Sequence, residues 1–304
     1  RVGNHGHTWP VFRVDESGSR EELGTLTAIE GDRWLMKYRG EEDPLYASGL
    51  TGGLSEGWPW FLDGMRPQGF MGRAFVRKHC RLIGSSPDLN RWGSDQYLLS
   101  ALLFGSDLPG NLVIGDHPIE VPEYVDQSCW PDLAREAIRG NPAGSSAGGE
   151  QPKFSSGIEI VKFARFDGEG GRWADLLVAE SLAADVLAGN GIAVAHTRIM
   201  DQDGFRFLAI RRFDRTERGG RRGMHSLEAL DGAFTGEGGG AWPALAASLH
   251  HPEGLLGFDD LDAIKKIWNF GRAIGNTDMH LGNLSFLETD RRLLTVAPVY
   301  DMLP

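Results

Sequence analysis

The stretch GNTDMHLGNLSFL, residues 275–287, sets an Asp, a His and an Asn within six positions of one another. It follows DDLDAIKKIWNFGRAIG (259–275), where Leu261, Ile264, Ile267, Trp268 and Ile274 recur near the 3.6-residue period of an amphipathic helix, and it runs into LSFL, which reads as a strand. Polar groups packed this closely mark either a solvated, capped turn or a site that holds something charged. Asp278 and Asn283 stand five apart. That is the separation of the Asp and Asn in the kinase catalytic-loop pattern H-R-D-x-x-x-x-N, where they act as base and metal ligand. The rest of the chain decides between the two readings.

Phosphoryl transfer from ATP needs few parts: backbone amides over the phosphates, a Lys on a strand, a proton acceptor, and oxygen ligands for Mg2+. Each has a candidate. SSAGGEQPKF (145–154) is small and Gly-containing, so that successive amides can approach phosphate oxygens. GIEIVKFARF (157–166) reads as a strand with Lys162 in its middle, and Glu180 follows 18 residues later on RWADLLVAESLAADVLAGNG (172–191), a helix with apolar positions 173, 176, 177, 183, 186 and 187. A Lys and Glu paired across that helix would aim the Lys at phosphates. Asp301 follows the strand-like LLTVAPVY, and its carboxylate with the Asn283 carboxamide offers hard oxygen ligands. Singly, each element has an ordinary structural explanation, and His280 has no second His or Cys at metal spacing. The ordered set is far more specific than its members.

Composition narrows the class. At 304 residues the chain is long enough for more than one core, and 42 glycines, about twice the usual share of roughly 7%, predict many turns. The formal charge of -11 repels a phosphate backbone, so nucleic acid could be met only locally. The densest basic run, RRFDRTERGGRRG (211–223), with six Arg, is expected to be a solvated loop. Two cysteines, Cys80 and Cys129, form neither metal spacing nor a disulfide framework and are expected as thiols. With no long apolar run and no leader-like start, the expected location is the cytoplasm.

Along the chain, TWPVFRV, ELGTLTAI and RWLMKY predict a small β meander. A Gly- and Trp-rich stretch, SEGWPWFLDGMRPQGFMGRAF, is assigned to core packing, and SDQYLLSALLFG to a helix capped by Ser94, with Leu98, Ala101 and Leu102 on its apolar face. WPDLAREAIRG, with Pro131 in its first turn and Gly140 past its end, is a further helix. AHTRIMDQDGFRFLAIRRFD (195–214) is a hairpin about Asp203-Gly204. HSLEALDGAF and 259–275 are helical, and LSFL and LLTVAPVY are strands. The expected organisation is a β-rich part over 1–130, a nucleotide-binding small lobe over 131–216, and a helical catalytic lobe over 217–304, an α+β, two-lobed, protein-kinase-like fold.

SSAGGEQPKF, IVKF, AIRRFDR, GNTDMHLGNLSF and VYDM, in this order and at these separations, resemble the HipA family, the serine/threonine kinase toxins of bacterial toxin-antitoxin systems, and within it the YjjJ-like branch. The resemblance covers roughly 130–304 and is weaker before that. It implies Asp278 as proton acceptor, Asn283 and Asp301 as Mg2+ ligands, and Lys162, oriented by Glu180, on the phosphates of ATP. It also implies the backbone of Gly148, Gly149, Glu150, Gln151, Pro152 and Lys153 over the nucleotide, Arg211, Arg212 and Phe213 beside the adenine, and His280 and Tyr300 close by. Ser146, with Ser145 as its neighbour and competitor, falls where the family has an autophosphorylated regulatory serine, whose phosphate the 211–222 arginines could capture. Two departures stand out: HipA carries an acidic residue where this chain has Arg211, and the family continues past the position of Asp301 into further helices. RVGNHGHTWPVFRV resembles the tail of a winged helix, so a preceding DNA-binding domain is expected. The implied partners are a protein substrate and an antitoxin. A small-molecule kinase of the same fold, or a repressor module without catalysis, are the alternatives; the second would predict loss of Asp278, Asn283 or Asp301, and all three are present.

Overall fold

The computed structural model of the chain describes residues 6–48, 50–118, 123–144, 149–166, 170–289 and 293–304. Alternating apolar residues build the expected meander, β1 (Thr8–Val14), β2 (Arg20–Ile29) and β3 (Arg33–Tyr38), with Val11, Val14, Leu26 and Trp34 turned into the core. A short β4 (Leu54–Glu56) adds to one edge. After α1 (Gly69–Ile83) and α2 (Ser94–Phe104), β5 (Leu112–Ile114) returns beside β1, giving the antiparallel order β4-β3-β2-β1-β5. The Trp-rich stretch is core, as expected: Trp60, Phe61, Leu62 and Met65 are buried in a short 3-10 turn. Its second half, however, opens α1, a helix that the glycines conceal in the sequence. Ser94 is the first residue of α2 and not its cap; Gly93 takes that place, its N–H donating to Gln96 Oε1 at 2.9 Å.

Helix α3 (Trp130–Ile138) leads to β6 (Lys153–Ser156) and β7 (Glu159–Arg165), then α4 (Gly170–Gly189), and then the hairpin of β8 (Thr197–Gln202) and β9 (Phe205–Arg211). Asp203 and Gly204 take φ of 50° and 75°, as a two-residue I′ turn requires. The sheet order is β6-β7-β9-β8, all antiparallel. Period-two alternation sorts its side chains. Val161, Phe163, Phe205, Phe207 and Ala209 pack with Trp130 and Ala134 of α3, whereas Leu208 and Ile210 pack with Leu177 of α4. Lys162, between Val161 and Phe163, therefore faces α4. On that helix the buried positions are Ala174, Leu177, Glu180, Ala183 and Leu187; Trp173 and Val186, expected on the buried side, are exposed.

The chain continues through β10 (Met224–Ser226), α5 (Leu227–Leu230), α6 (Trp242–His250) and α7 (Phe258–Ala273) to β11 (Ser285–Glu288) and β12 (Leu294–Val296). The last three strands form the sheet β10-β11-β12. Helix α6, with Pro243 in its first turn, carries no sequence signal strong enough to separate it from the glycines before it. The largest hydrophobic cluster joins Leu26, Trp34 and Trp60 to Leu227, Trp242 and Ile264, so that the β meander and the C-terminal helices share one core.

The Arg-rich stretch corrects an expectation. It is not a solvated loop: Arg212, Arg215 and Arg221 are buried. A buried ion costs several kcal/mol in lost hydration unless it is fully paired. Arg212 forks onto Asp214 at 3.0 and 2.9 Å and reaches Asp107 at 2.9 Å. Arg215 meets Asp214 at 2.8 Å, Asp107 at 3.2 Å, and the carbonyls of Leu108 and Gly110. For Arg212 and Arg215, two guanidinium groups and two carboxylates thus balance, with Asp107 coming from the segment between α2 and β5, whereas Arg221 donates to the Ser106 carbonyl and burial lowers its guanidinium. Arg211, which is exposed like Arg218, pairs with Glu217 at 2.9 Å. Asp214→Ala should lower stability by about 3–5 kcal/mol by stranding two buried cations, while Glu217→Ala should change it by about 1 kcal/mol or less. Urea unfolding of the two variants would check the contrast.

Candidate active site

Lys162 can be buried mid-sheet only with a counter-charge opposite, and Glu180 can lie in the buried stripe of α4 only on the same terms. The structure brings them together: Lys162 Nζ donates to both Glu180 oxygens at 2.6 and 2.7 Å, with the two side chains 3% and 4% exposed. Lys162 also pairs with Asp301, which lies just past the end of β12. Asp301 adopts φ of 53°, a left-handed conformation that Asp tolerates better than most residues. Burial alone would lower the Lys162 ammonium, but Asp301 and Glu180 outweigh it and hold it well above the usual range. Burial would likewise raise Asp301, yet Lys162 and Lys153 hold its carboxyl at about 2. Glu180 is raised, by burial first and by Asp301 as well, against the pull of Lys162.

Lys162 and Asp301 line a cleft of about 210 Å³. Of the run 148–153, Gly149 and Lys153 line it; Glu150, Gln151 and Pro152 do not, and Gly148, like Ser145 and Ser146, lies outside the described residues. Gly149 holds φ of 81°, a conformation that favours glycine, and a Cβ there would stand 2.8 Å from the mobile end of the Lys153 side chain, Nζ. Lys153 was read for its backbone, but its side chain matters more: it heads β6 opposite Lys162 and is buried. Burial is the main cause that brings its ammonium down to about 8, with Asp301 partly restoring it. This second cation lining the cleft was hidden because Lys153 and Phe154 were read as the end of a loop.

Arg211, Arg212 and Phe213 all line the cleft. The Arg211 guanidinium, at the departure from the HipA pattern, is turned to Glu217, and that of Arg212 to Asp107 and Asp214. Those same pairings leave Arg211, Arg212 and Arg215 already engaged, which argues against them as the captors of a phosphate on Ser146. Phe213 packs at 5.7 Å on Tyr300, whose burial pushes its hydroxyl upward. Tyr300 bonds Ser285 Oγ at 2.7 Å and donates to the Gly282 carbonyl at 3.0 Å, tying the strand end to the polar loop.

That loop serves as a capped turn and as a site wall at once. Asn276 Oδ1 accepts from the Asp278 N–H at 2.8 Å, His280 Nδ1 accepts from the Gly282 N–H at 3.1 Å, and Asn283 Nδ2 donates to the Asp278 carbonyl at 2.8 Å. His280 and Asn283 line the cleft. Asp278 does not; its carboxylate stands at the mouth, 75% exposed and 4.0 Å from His280 Nε2. With its nitrogen committed, Asn283 has Oδ1 left for a cation. Asn283 and Asp301 together offer two hard oxygen donors beside two lysines, and Mg2+ commonly takes one or two protein oxygens and completes its shell with phosphate oxygens and water. The residues fit such an ion.

Residues 5–121 match the family described as YjjJ-like toxin, middle domain, and residues 145–304 match the HipA-like C-terminal domain. The chain is 34% identical to Toxin YjjJ of Escherichia coli (strain K12), over 97% of this chain and 69% of that protein. It belongs to the YjjJ-like toxins of the HipA family. Among solved structures, HipA of Shewanella oneidensis MR-1, in complex with HipB and operator DNA, aligns over 96% of this chain and 76% of its own with a TM-score of 0.62 at 18% identity. The Helicobacter pylori proinflammatory kinase CtkA covers 51% of this chain and 54% of its own, with a TM-score of 0.39 at 17% identity. The fold of this toxin is the kinase-like HipA fold, as its motif order implied, and both cysteines are free thiols.

Lys153 supplies a test of the site's electrostatics. Its folded-state value near 8 lies below the ordinary 10.5, so between those two pH values only the unfolded chain binds the proton. Stability should therefore rise as pH climbs through that window. Lys153→Met should flatten the rise and be the more stable protein below pH of about 8, as read from denaturant midpoints across the range.

Proposed function

We propose that this toxin is an ATP- and Mg2+-dependent serine/threonine protein kinase. The observation that carries the reading is the buried Lys162–Glu180–Asp301 cluster opening into a cleft beside Asn283. Lys162, held protonated by two carboxylates, would bind phosphate oxygens, and Gly149, which has no side chain to intervene, would let its backbone approach them. Phe213 and Tyr300 give the cleft an aromatic wall of the kind a purine base packs against. Asn283 and Asp301 would hold Mg2+, which supplies charge neutralisation at the phosphates when bound. Asp278 would accept the proton of the attacking hydroxyl. Its exposed position at the mouth of the cleft favours an acceptor group presented by a polypeptide over a small molecule enclosed in the cleft.

The toxin family, and the HipB and operator DNA in the Shewanella HipA structure, support an antitoxin partner, with DNA reached through that partner or through a further domain. The site of action is proposed to be the cytoplasm; no helix among the described residues is long and apolar enough to cross a membrane. Autophosphorylation at Ser146 belongs to the same proposal.

Transfer of label from γ-labelled ATP tests the reading. Asp278→Asn should keep the fold and ATP binding but lose on the order of 100- to 10,000-fold in transfer rate, since a carboxamide cannot accept the proton. Turnover within about threefold of the parent would remove Asp278 from the base role. Asn283→Ala and Asp301→Ala should lose transfer with partial rescue at high Mg2+. Mass spectrometry of the parent and Asp278→Asn proteins after incubation with ATP should find phosphate on Ser146 in the parent alone.

A further inference from the structure

The Gly-rich loop is not held by its own sheet alone. Helix α1, some eighty residues earlier in the chain and within the YjjJ-like middle domain, meets it at two adjacent residues. The first turn of a helix has backbone N–H groups with no partner inside the helix, and one of these, Phe70 N–H, donates to the Gly149 carbonyl at 2.8 Å. Gly69, at the helix start with φ of 59°, lies so close that a Cβ would stand 2.2 Å from that carbonyl oxygen. One turn along the same helix, Arg73 forks onto Glu150, with Nη1 at 2.7 Å from Oε1 and Nη2 on Oε2. The pair draws Arg73 up and Glu150 down, in each case chiefly through this contact. Gly149 is thus clasped between α1 on one side and Lys153 and Asp301 on the other.

We infer that the Gly69–Arg73 end of α1 is a positioning element of the nucleotide site, fixing Gly149 and Glu150 so that the loop's backbone faces the phosphates. The inference rests on the nucleotide-binding reading and extends it to residues outside the HipA-like domain. Arg73 and Glu150 are both outside the main cleft and touch no reacting group. Because their pair is solvent-exposed, at 44% and 73%, its loss should leave the melting temperature nearly unchanged while relaxing the loop.

The test compares Arg73→Ala, Glu150→Ala, the charge swap Arg73→Glu with Glu150→Arg, and Gly69→Ala in the full chain. Equilibrium binding of ATP and amide hydrogen exchange over 149–153 are the readouts. Each single charge variant should weaken ATP binding, and raise KM with kcat kept, by about two- to fivefold, and the swap should restore it. Gly69→Ala, which forces the carbonyl away, should weaken binding on the order of tenfold or more. Exchange at 149–153 should quicken in every variant but the swap. Unchanged ATP affinity and unchanged exchange in Arg73→Ala and Gly69→Ala would overturn the inference. If the parent protein bound no ATP, the functional proposal would fail, and the exchange measurement would still decide whether α1 holds the loop.

Discussion

A lysine buried in the middle of a sheet is tolerable only if carboxylates meet it, and the arrangement of this toxin's second half follows from meeting Lys162. The β-strand period turns it toward α4, the helix period brings Glu180 into the buried stripe of that helix, and the strand end at β12 delivers Asp301 to the same ammonium. Three segments far apart in sequence are held in register by one charge that none of them can leave unpaired. Such a cluster contributes little net stability compared with an apolar core of the same volume, because desolvation offsets most of the attraction. The cleft beside it, lined by Lys162 and Asp301, is where the charge is available.

A second buried charge set does for the two family regions what the first does for the site. Arg212 and Arg215 follow β9 directly, and their partners Asp107, Leu108 and Gly110 come from the segment leading into β5. The middle domain and the HipA-like domain also share the largest hydrophobic cluster. Together with the contact of α1 on the Gly-rich loop, these links let both regions line the cleft: Arg66, Gln68 and Pro109 from one, Phe213 and Tyr300 from the other. The middle domain is a structural part of the site's enclosure rather than an appendage to it.

The polar loop at 275–287 shows how one local sequence satisfies two demands. Asn276, His280 and Asn283 each spend a side-chain atom on the loop's own backbone, which is the behaviour of a capped turn. The same bonds fix which atoms remain: Oδ1 of Asn283, and the exposed Asp278 carboxylate. Capping does not exclude the proposed chemistry, because it orients the groups that the proposal uses.

The sequence by itself determined the local elements with strong periodicity and the motif order: the β meander, the hairpin at Asp203-Gly204, helices α3, α4 and α7, the Lys162 and Glu180 pairing, and the family. These are legible because strand and helix periods, turn residues and fixed spacings are properties of neighbouring positions. Elements rich in glycine or short in period, α1, α6 and β6, left no such trace, and with β6 went the buried side chain of Lys153. Only the tertiary structure decided that the Arg-rich stretch holds a buried ion network, that the Arg211 guanidinium is taken up by Glu217, and that α1 clasps Gly149 and Glu150. The ion network draws in Asp107 and the clasp draws in α1, each roughly eighty or more positions away, and whether a charge is solvated or buried is set by what the fold brings against it, which no local pattern contains.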